Sequence, residues 1–218
     1  MPKLQLVIFD CDGVLVDSEV ISNRVLAEQL SAHGLPTTLP EARRGYQGLL
    51  LSQVLSSAET RLGKPLPEGW IDHYVEVRGE AFRHELRPVA NAPKLIERIE
   101  SAGIAFCVAS QGALTKTALS LELTGLSERF PAEARFSATQ VKRGKPFPDL
   151  FLHAARSMGA SPSACVVVED TPSGVTAAVE AGMRVFAFAA DGDPQALAEA
   201  GGEVVMSLAE LPALLDIE

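Results

Sequence analysis

The sequence predicts a doubly wound α/β fold with a mostly parallel sheet, into which an all-helical domain is inserted. Three observations predict it. Short apolar runs rich in Val, Ile and Phe recur along the chain, helical patterns alternate with them, and one long segment near the N-terminus contains helical patterns alone. Continuous apolar runs are typical of parallel strands buried on both faces. Their alternation with helices favours right-handed crossovers within one sheet.

Six runs are predicted as strands, of which the third and the sixth are weaker. They are Leu4–Phe9, Ile104–Ala109, Arg135–Ala138, Cys165–Val168, Arg184–Ala189 and Glu203–Met206. The helices predicted between them are Asn91–Ala102, Ala113–Leu123, Pro148–Met158, Pro172–Ala181 and Pro194–Ala200. In the first of these helices, Leu95, Ile96 and Ile99 form one apolar stripe, and Gly103 ends the helix.

The segment from residue 18 to residue 87 lacks a convincing strand. It carries helical patterns at Glu19–Ala32, Leu50–Arg61 and Gly69–His84, separated by Gly- and Pro-containing loops at Gly34–Pro36 and Gly63–Pro67. We therefore predict an α/β core domain formed by residues 1–17 and 88–218, with a helical domain over residues 18–87.

Composition restricts the function classes. With 47% hydrophobic and 22% charged residues, the 218-residue chain can bury a core and is not disordered. Its net charge of -9 argues against nucleic-acid binding, and no apolar run reaches the ~20 residues of a membrane span. Cys11, Cys107 and Cys165 lack metal-ligand spacing and lie in apolar stretches, as reduced thiols do. We expect a cytoplasmic protein without a nucleic-acid or membrane partner.

A first acidic motif, Asp10-Cys11-Asp12-Gly13, follows the first strand. The two-residue period of a strand places Asp10 and Asp12 on the same side, at the sheet edge where parallel sheets bind ligands. Two carboxylates ~4 Å apart repel by about 4 kcal/mol at an effective dielectric constant of about 20. A bound cation, or protonation of one carboxyl, would relieve this repulsion. An Asp-rich turn with no further role is the alternative.

A second acidic motif, Glu169-Asp170, follows another strong strand. Thr171 is a suitable cap for the helix that Pro172 opens. The helix dipole alone could explain two acidic residues at this position. Combined with Asp10 and Asp12, however, the pair predicts an oxygen-rich site suited to Mg2+.

Two further strand ends supply groups that bind anions. Ser110 offers a hydroxyl where the next helix begins, and the neighbouring backbone N–H groups, including that of Gln111, can hold an anion. Lys145 lies between Gly144 and Pro146, in a loop whose backbone is restricted. Acidic residues, a hydroxyl and a fixed lysine thus occur at four strand ends in succession.

These motifs, in this order, resemble the haloacid dehalogenase superfamily of phosphohydrolases over essentially the whole chain. The similarity is to the branch of phosphoglycolate phosphatases and beta-phosphoglucomutases, and the helical insertion resembles the small helical cap of that superfamily. The runs Phe9–Gly13, Val16–Val20 and Phe151–Ala155 are similar to those of bacterial 6-phosphogluconate phosphatases. The resemblance implies a Rossmann-like core with a cap domain.

The resemblance also implies a role for each motif. Asp10 would be the nucleophile that forms an aspartyl-phosphate, and Asp12 the general acid and then the base. Mg2+ would be held by the Asp10 carboxylate, the Asp12 carbonyl and Asp170. Glu169 would either bind the ion directly or hold one of these ligands in place. The groups that would hold the phosphoryl oxygens are Ser110, Lys145 and the backbone N–H groups of Cys11, Asp12 and Gln111.

The expected function is a Mg2+-dependent phosphatase for small phosphorylated metabolites, either sugar or sugar-acid phosphates, acting as a monomer or weak homo-oligomer. A phosphosugar mutase is the first alternative. The resembling mutases carry a His and an Arg in the cap where this chain has Ser22 and Leu51, which favours water as the acceptor. A phospho-Asp receiver is the second alternative, although receivers are shorter and lack a helical insertion. Substrate specificity is expected in the cap, with Ser22, Gln47 and Gly48 as candidates.

Overall fold

The α/β part of the protein is a six-stranded sheet in which every neighbouring pair of strands is parallel. The computed structural model describes residues 3–46, 49–190 and 192–217. The strands are β1 (Leu6–Phe9), β2 (Ala105–Ser110), β3 (Arg135–Ser137), β4 (Cys165–Glu169), β5 (Arg184–Phe188) and β6 (Glu203–Val205). Their order across the sheet is β3-β2-β1-β4-β5-β6. This order confirms the predicted doubly wound parallel sheet.

The central position of β1 explains its uninterrupted apolar sequence, because all four of its residues are fully buried. Leu6 and Ile8 belong to a core cluster on one face of the sheet, together with Phe151. Phe9 faces the other side, where its ring lies 6.3 Å from that of Phe130 in an edge-to-face arrangement. Burial on both faces is the environment that the apolar run predicts.

The chain divides into two compact units, Met1–Val16 with Pro88–Glu218, and Asp17–Arg87. The second unit is helical, and the backbone N–H of Asp17 donates to the Arg87 carbonyl at 3.0 Å, so this unit begins and ends at neighbouring positions. Its helices are α1 (Glu19–Ala32), α2 (Leu39–Tyr46), α3 (Leu51–Leu62) and α4 (Trp70–Glu85). The helices of the α/β unit are α5 (Ala92–Ser101), α6 (Leu114–Leu123), α7 (Asp149–Ser157), α8 (Pro172–Glu180), α9 (Pro194–Glu199) and α10 (Leu211–Leu214).

Helix α2 was not among the predicted helices, because it is short and contains Pro40 and Gly45, residues that usually indicate a loop. Its start nevertheless carries a local signal. The Thr38 N–H donates to the Glu41 carboxylate at 2.8 Å, and the Glu41 N–H donates to the Thr38 hydroxyl at 3.4 Å. This reciprocal pair is a capping box, and Thr38-x-x-Glu41 could have identified the helix.

Among the helices of residues 3–46, 49–190 and 192–217, none is both long enough and apolar enough to cross a bilayer.

Candidate active site

The predicted site residues of the α/β unit lie at the carboxyl edge of the sheet, at the ends of neighbouring strands. Asp10 follows β1, Ser110 is the last residue of β2 and Glu169 is the last residue of β4. Lys145 lies in the loop between β3 and α7. Strand β1 pairs with β2 on one side and with β4 on the other, so the polar residues at the ends of these three strands lie close together. In doubly wound sheets this central position is where ligands bind.

Lys145 joins the two acidic motifs. Its ammonium nitrogen lies 2.5 Å from Asp10 Oδ1 and 2.5 Å from Glu169 Oε1. Its side chain is 4% exposed. Burial alone would lower the pKa of Lys145, but the two contacting carboxylates outweigh that effect and raise the pKa above its ordinary value. Lys145 is therefore a buried, fixed positive charge.

Asp10 is buried beside this lysine. Its backbone N–H donates to the Val168 carbonyl at 2.9 Å, which continues the β1–β4 ladder and fixes the side chain at the strand end. Burial raises the pKa of Asp10, Glu169 and Asp12 raise it further, and Lys145 acts in the opposite direction. A carboxylate in this environment gains stability from additional positive charge, which a cation can supply.

Gln111 has a role that the sequence did not predict. Its side-chain carbonyl accepts the Lys145 backbone N–H at 3.0 Å. The amide also lies against Gly144, where a Cβ atom would overlap it. The side chain of Gln111 thus holds the Lys145 loop, whereas the sequence assigned this residue through its backbone N–H as a phosphate ligand.

Glu169 is fully buried, and both of its carboxylate oxygens have partners within the protein. Oε1 contacts Lys145, and Oε2 accepts the N–H groups of Asp170 at 2.9 Å and Thr171 at 2.8 Å, as well as the Thr171 hydroxyl at 2.9 Å. The N–H and hydroxyl donors hold the Glu169 carboxylate in place, and the fixed carboxylate in turn positions Lys145. Of the two expected arrangements, these contacts favour the one in which Glu169 does not bind the metal directly.

Gly174, in the first turn of α8, provides a test of this buried carboxylate, since a Cβ atom there would overlap it. We expect Gly174→Ala to lower the free energy of unfolding by about 1–3 kcal/mol, as overpacking does, although alanine is the better helix former. Chemical denaturation would measure the change. Gly79→Ala in α4 is the control, because a Cβ atom there meets nothing within 4 Å and should be neutral or stabilising. Equal stability of Gly174→Ala and the native protein would contradict the packing argument.

Asp12 contacts a different lysine. Its Oδ2 lies 2.5 Å from the ammonium of Lys116, with the two side chains 18% and 20% exposed. The expectation that Asp10 and Asp12 would share one carboxylate cluster is thus incomplete, because each also contacts its own cation. Lys116 was not singled out from the sequence. One signal was available, since a lysine in the first turn of a helix is opposed by the helix dipole and so needs another reason to be there.

Asp170 lies against the loop that carries Asp10 and Asp12. A Cβ atom on Gly13 would overlap the Asp170 carboxylate, and Gly13 has a φ of 79°, so glycine is required there on two grounds. Within the described ranges no group of three or more His, Cys, Asp and Glu residues is arranged to hold a metal. The carboxylates of Asp10 and Asp170, with backbone carbonyls and water, nevertheless match Mg2+, which usually binds one or two carboxylates.

Ser110 and the loop after β2 form the expected anion-binding region. Ser110 is buried, and its hydroxyl oxygen accepts the Gly112 N–H at 3.0 Å, which keeps the hydroxyl hydrogen for another acceptor. Ser137 fixes the same loop by donating its hydroxyl to the Gly112 carbonyl at 2.7 Å.

The Cys11 carbonyl accepts the N–H groups of Leu15 and Val16 and so closes the loop after β1. The Cys11 thiol is buried, which raises its pKa.

The cap candidates stay predictions. Ser22 lies in α1, and its backbone carbonyl accepts the Tyr74 hydroxyl at 3.3 Å. Gln47 and Gly48 lie outside the described residues.

The family described as haloacid dehalogenase-like hydrolase matches residues 7–188. The chain is 29% identical over 215 residues to 6-phosphogluconate phosphatase of Escherichia coli strain K12, covering 98% of this chain and 96% of the relative. It is 30% identical over 194 residues to hexitol phosphatase A of the same organism, covering 88% and 86%.

Solved structures agree with the fold. The protein resembles a HAD family hydrolase from Deinococcus radiodurans R1, solved with bound phosphate and sodium, with a TM-score of 0.83 and 29% identity. The match covers 100% of this chain and 97% of that one. The family match and the sheet order confirm the resemblance that the motifs suggested. The chain belongs to the haloacid dehalogenase-like hydrolase family.

Proposed function

We propose that the protein is a Mg2+-dependent phosphatase that hydrolyses small sugar or sugar-acid phosphates through an aspartyl-phosphate on Asp10. One observation carries the proposal: Lys145 bridges Asp10 and Glu169 at the carboxyl edge of the sheet, with 2.5 Å to each carboxylate. A buried ammonium beside a candidate nucleophile offsets the repulsion that an anionic carboxylate meets when it approaches a phosphate.

The general activity rests on the comparisons. The protein is a phosphomonoester hydrolase, as its family match and its relatives named as phosphatases support. The substrate, the metal and the roles of individual residues are the proposed parts. The partner that this reaction requires is a small phosphorylated metabolite.

In the first step, a carboxylate oxygen of Asp10 attacks phosphorus, the P–O bond to the alcohol breaks, and Asp12 protonates the departing ester oxygen. In the second step, Asp12 accepts a proton from water, the water oxygen attacks phosphorus, and the bond to Asp10 breaks to release phosphate. Lys145 and the Ser110 hydroxyl hold the phosphoryl oxygens as their charge redistributes, together with the backbone N–H groups of Cys11, Asp12 and Gln111.

The residues that would hold Mg2+ are the Asp10 and Asp170 carboxylates and the Asp12 carbonyl. When bound, the ion would neutralise phosphoryl charge and help to orient the phosphate. Glu169 supports this region indirectly through Lys145 and through the N–H of Asp170.

Removal of divalent metal tests the cofactor. We expect EDTA to abolish phosphate release from sugar phosphates, because without the ion the acidic sheet edge lacks the positive charge that neutralises an incoming phosphate. Added Mg2+ should restore the release. A colorimetric phosphate assay would measure both steps, with Ca2+ as the comparison ion. Full activity in EDTA after exhaustive dialysis would remove Mg2+ from the proposal.

The same assay across sugar, sugar-acid, nucleotide and glycolate phosphates would define the substrate class. Conversion of a hexose 1-phosphate into the 6-phosphate without phosphate release would favour the mutase alternative. A long-lived phosphorylated protein without turnover would favour the receiver alternative, which the hydrolase family match does not support.

A further inference from the structure

Lys116 and Lys145 are both within 2.5 Å of a carboxylate of the first acidic motif, but their surroundings differ. Lys145 is buried between two carboxylates, and the proposed function assigns its charge to the phosphoryl group. Lys116 is 20% exposed and contacts Asp12, itself 18% exposed. Lys116 is thus a cation of the site that solvent, and therefore a substrate, can reach.

The path of the Lys116 side chain is fixed by the loop beneath it. A Cβ atom on Gly112 would lie 3.2 Å from Lys116 Cδ, 4.0 Å from its Nζ and 3.4 Å from the Ser110 hydroxyl. The lysine stem therefore crosses the loop that carries Ser110 and directs its ammonium to Asp12. The position in the first turn of α6 is unfavourable for a cation, so this contact is an independent indication of a specific role.

The reaction requires Asp12 to leave this contact, and this step of the inference rests on the proposed function. When the Asp12 carboxyl turns to the ester oxygen of the substrate, the partly buried ammonium of Lys116 loses its 2.5 Å contact with Asp12. Loss of a carboxylate contact weakens the electrostatic stabilisation of a partly buried ammonium. A carboxylate on the departing alcohol can take the place of Asp12, whereas a neutral polyol offers hydroxyl groups alone.

The distances limit which carboxylates can do so. Lys116 Nζ is 2.5 Å from Asp12 Oδ2. Adding a hydrogen bond of about 2.8 Å from Asp12 to the ester oxygen, and another from the ammonium to the new carboxylate, gives a reach of about 8 Å from the ester oxygen. Phosphorylated acids with chains of up to about six carbons, bent if necessary, lie within that reach.

We propose that Lys116 is a specificity-determining residue that binds the carboxylate of a phosphorylated sugar acid, and that it makes such acids better substrates than phosphorylated polyols of the same length. The inference thus narrows the substrate class within the proposed function. It places one specificity-determining residue in the α/β unit, whereas the earlier candidates lie in the cap.

The test compares substrates that differ only at the end of the chain. The pairs are 6-phosphogluconate with sorbitol 6-phosphate, and 4-phosphoerythronate with erythritol 4-phosphate. The measured quantity is the ratio of kcat/KM for the acid to kcat/KM for the polyol in each pair. A substitution of Lys116 that impairs Asp12 lowers kcat/KM for the acid and for the polyol by the same factor, so this effect cancels in the ratio.

We expect the native enzyme to prefer the acid, and Lys116→Met to lower the ratio about tenfold or more, as the loss of a charge-assisted hydrogen bond does. Lys116→Arg should keep the ratio within about threefold, because it retains the charge. Lys94→Met is the matched control, since Lys94 is an exposed lysine of α5. Lys116→Gln is a second neutral variant should the methionine fold poorly.

An unchanged ratio in both neutral variants, with equal losses on acid and polyol, would overturn the inference and assign Lys116 to the phosphoryl group or to Asp12 alone. A native preference for the polyol would also overturn it. In either case phosphate release by the native enzyme still supports the proposed function. Failure of the native enzyme to release phosphate from any ester would instead refute the proposed function itself.

Discussion

Asp10→Asn is expected to reduce phosphate release by at least about 10³-fold on every substrate, because an amide oxygen cannot form the aspartyl-phosphate. The variant should fold. Asparagine has nearly the same shape, and it replaces a buried carboxylate whose ionisation burial disfavours. Lys145 retains its contact with Glu169. The free energy of unfolding is therefore expected to stay within about 1 kcal/mol of the native value.

Two measurements separate loss of chemistry from loss of fold. Phosphate release is followed with a sugar phosphate and with p-nitrophenyl phosphate, while chemical denaturation reports stability. Mass spectrometry of the native enzyme, quenched in acid during turnover, should detect an added phosphoryl group that is missing from Asp10→Asn. Native-level turnover by Asp10→Asn would contradict the assignment of the nucleophile.

Lys145→Met is expected to have the second large effect, on both activity and stability. The substitution leaves Asp10 and Glu169 buried without their shared cation. Breaking a buried ion pair in this way costs about 3–5 kcal/mol of the free energy of unfolding. Activity should fall by at least about 10³-fold, because the loss removes a fixed positive charge from the phosphoryl site.

Lys145→Arg is the matched variant. It keeps the charge but adds volume to a buried site, so it should recover part of the stability lost in Lys145→Met. Its larger planar group cannot occupy the same position between two carboxylates 2.5 Å from the lysine nitrogen, so activity should recover much less. Denaturation curves and phosphate release on the three proteins check both expectations. High activity in Lys145→Met would show that the lysine is structural alone.

Much of the α/β architecture could be predicted because its signals are local. The apolar run around β1, for instance, is continuous since both faces of that strand are buried. The strand ends were placed to within one or two residues at the site: Ser110 and Glu169 proved to be the last residues of β2 and β4. Helix α2 was missed because its short segment contains Pro40 and Gly45, and its capping box was the better signal.

The sequence by itself determined which chemical groups follow which strands, because in a parallel sheet the chain order of motifs places them at one edge. Only the tertiary structure decided how these groups pair. Lys145 and Asp10 are 135 residues apart in the chain, and the Lys116–Asp12 and Gln111–Lys145 contacts also join segments that are distant in sequence. Such pairs are set by the three-dimensional approach of side chains after folding, which no local pattern of apolar residues, glycines or prolines encodes.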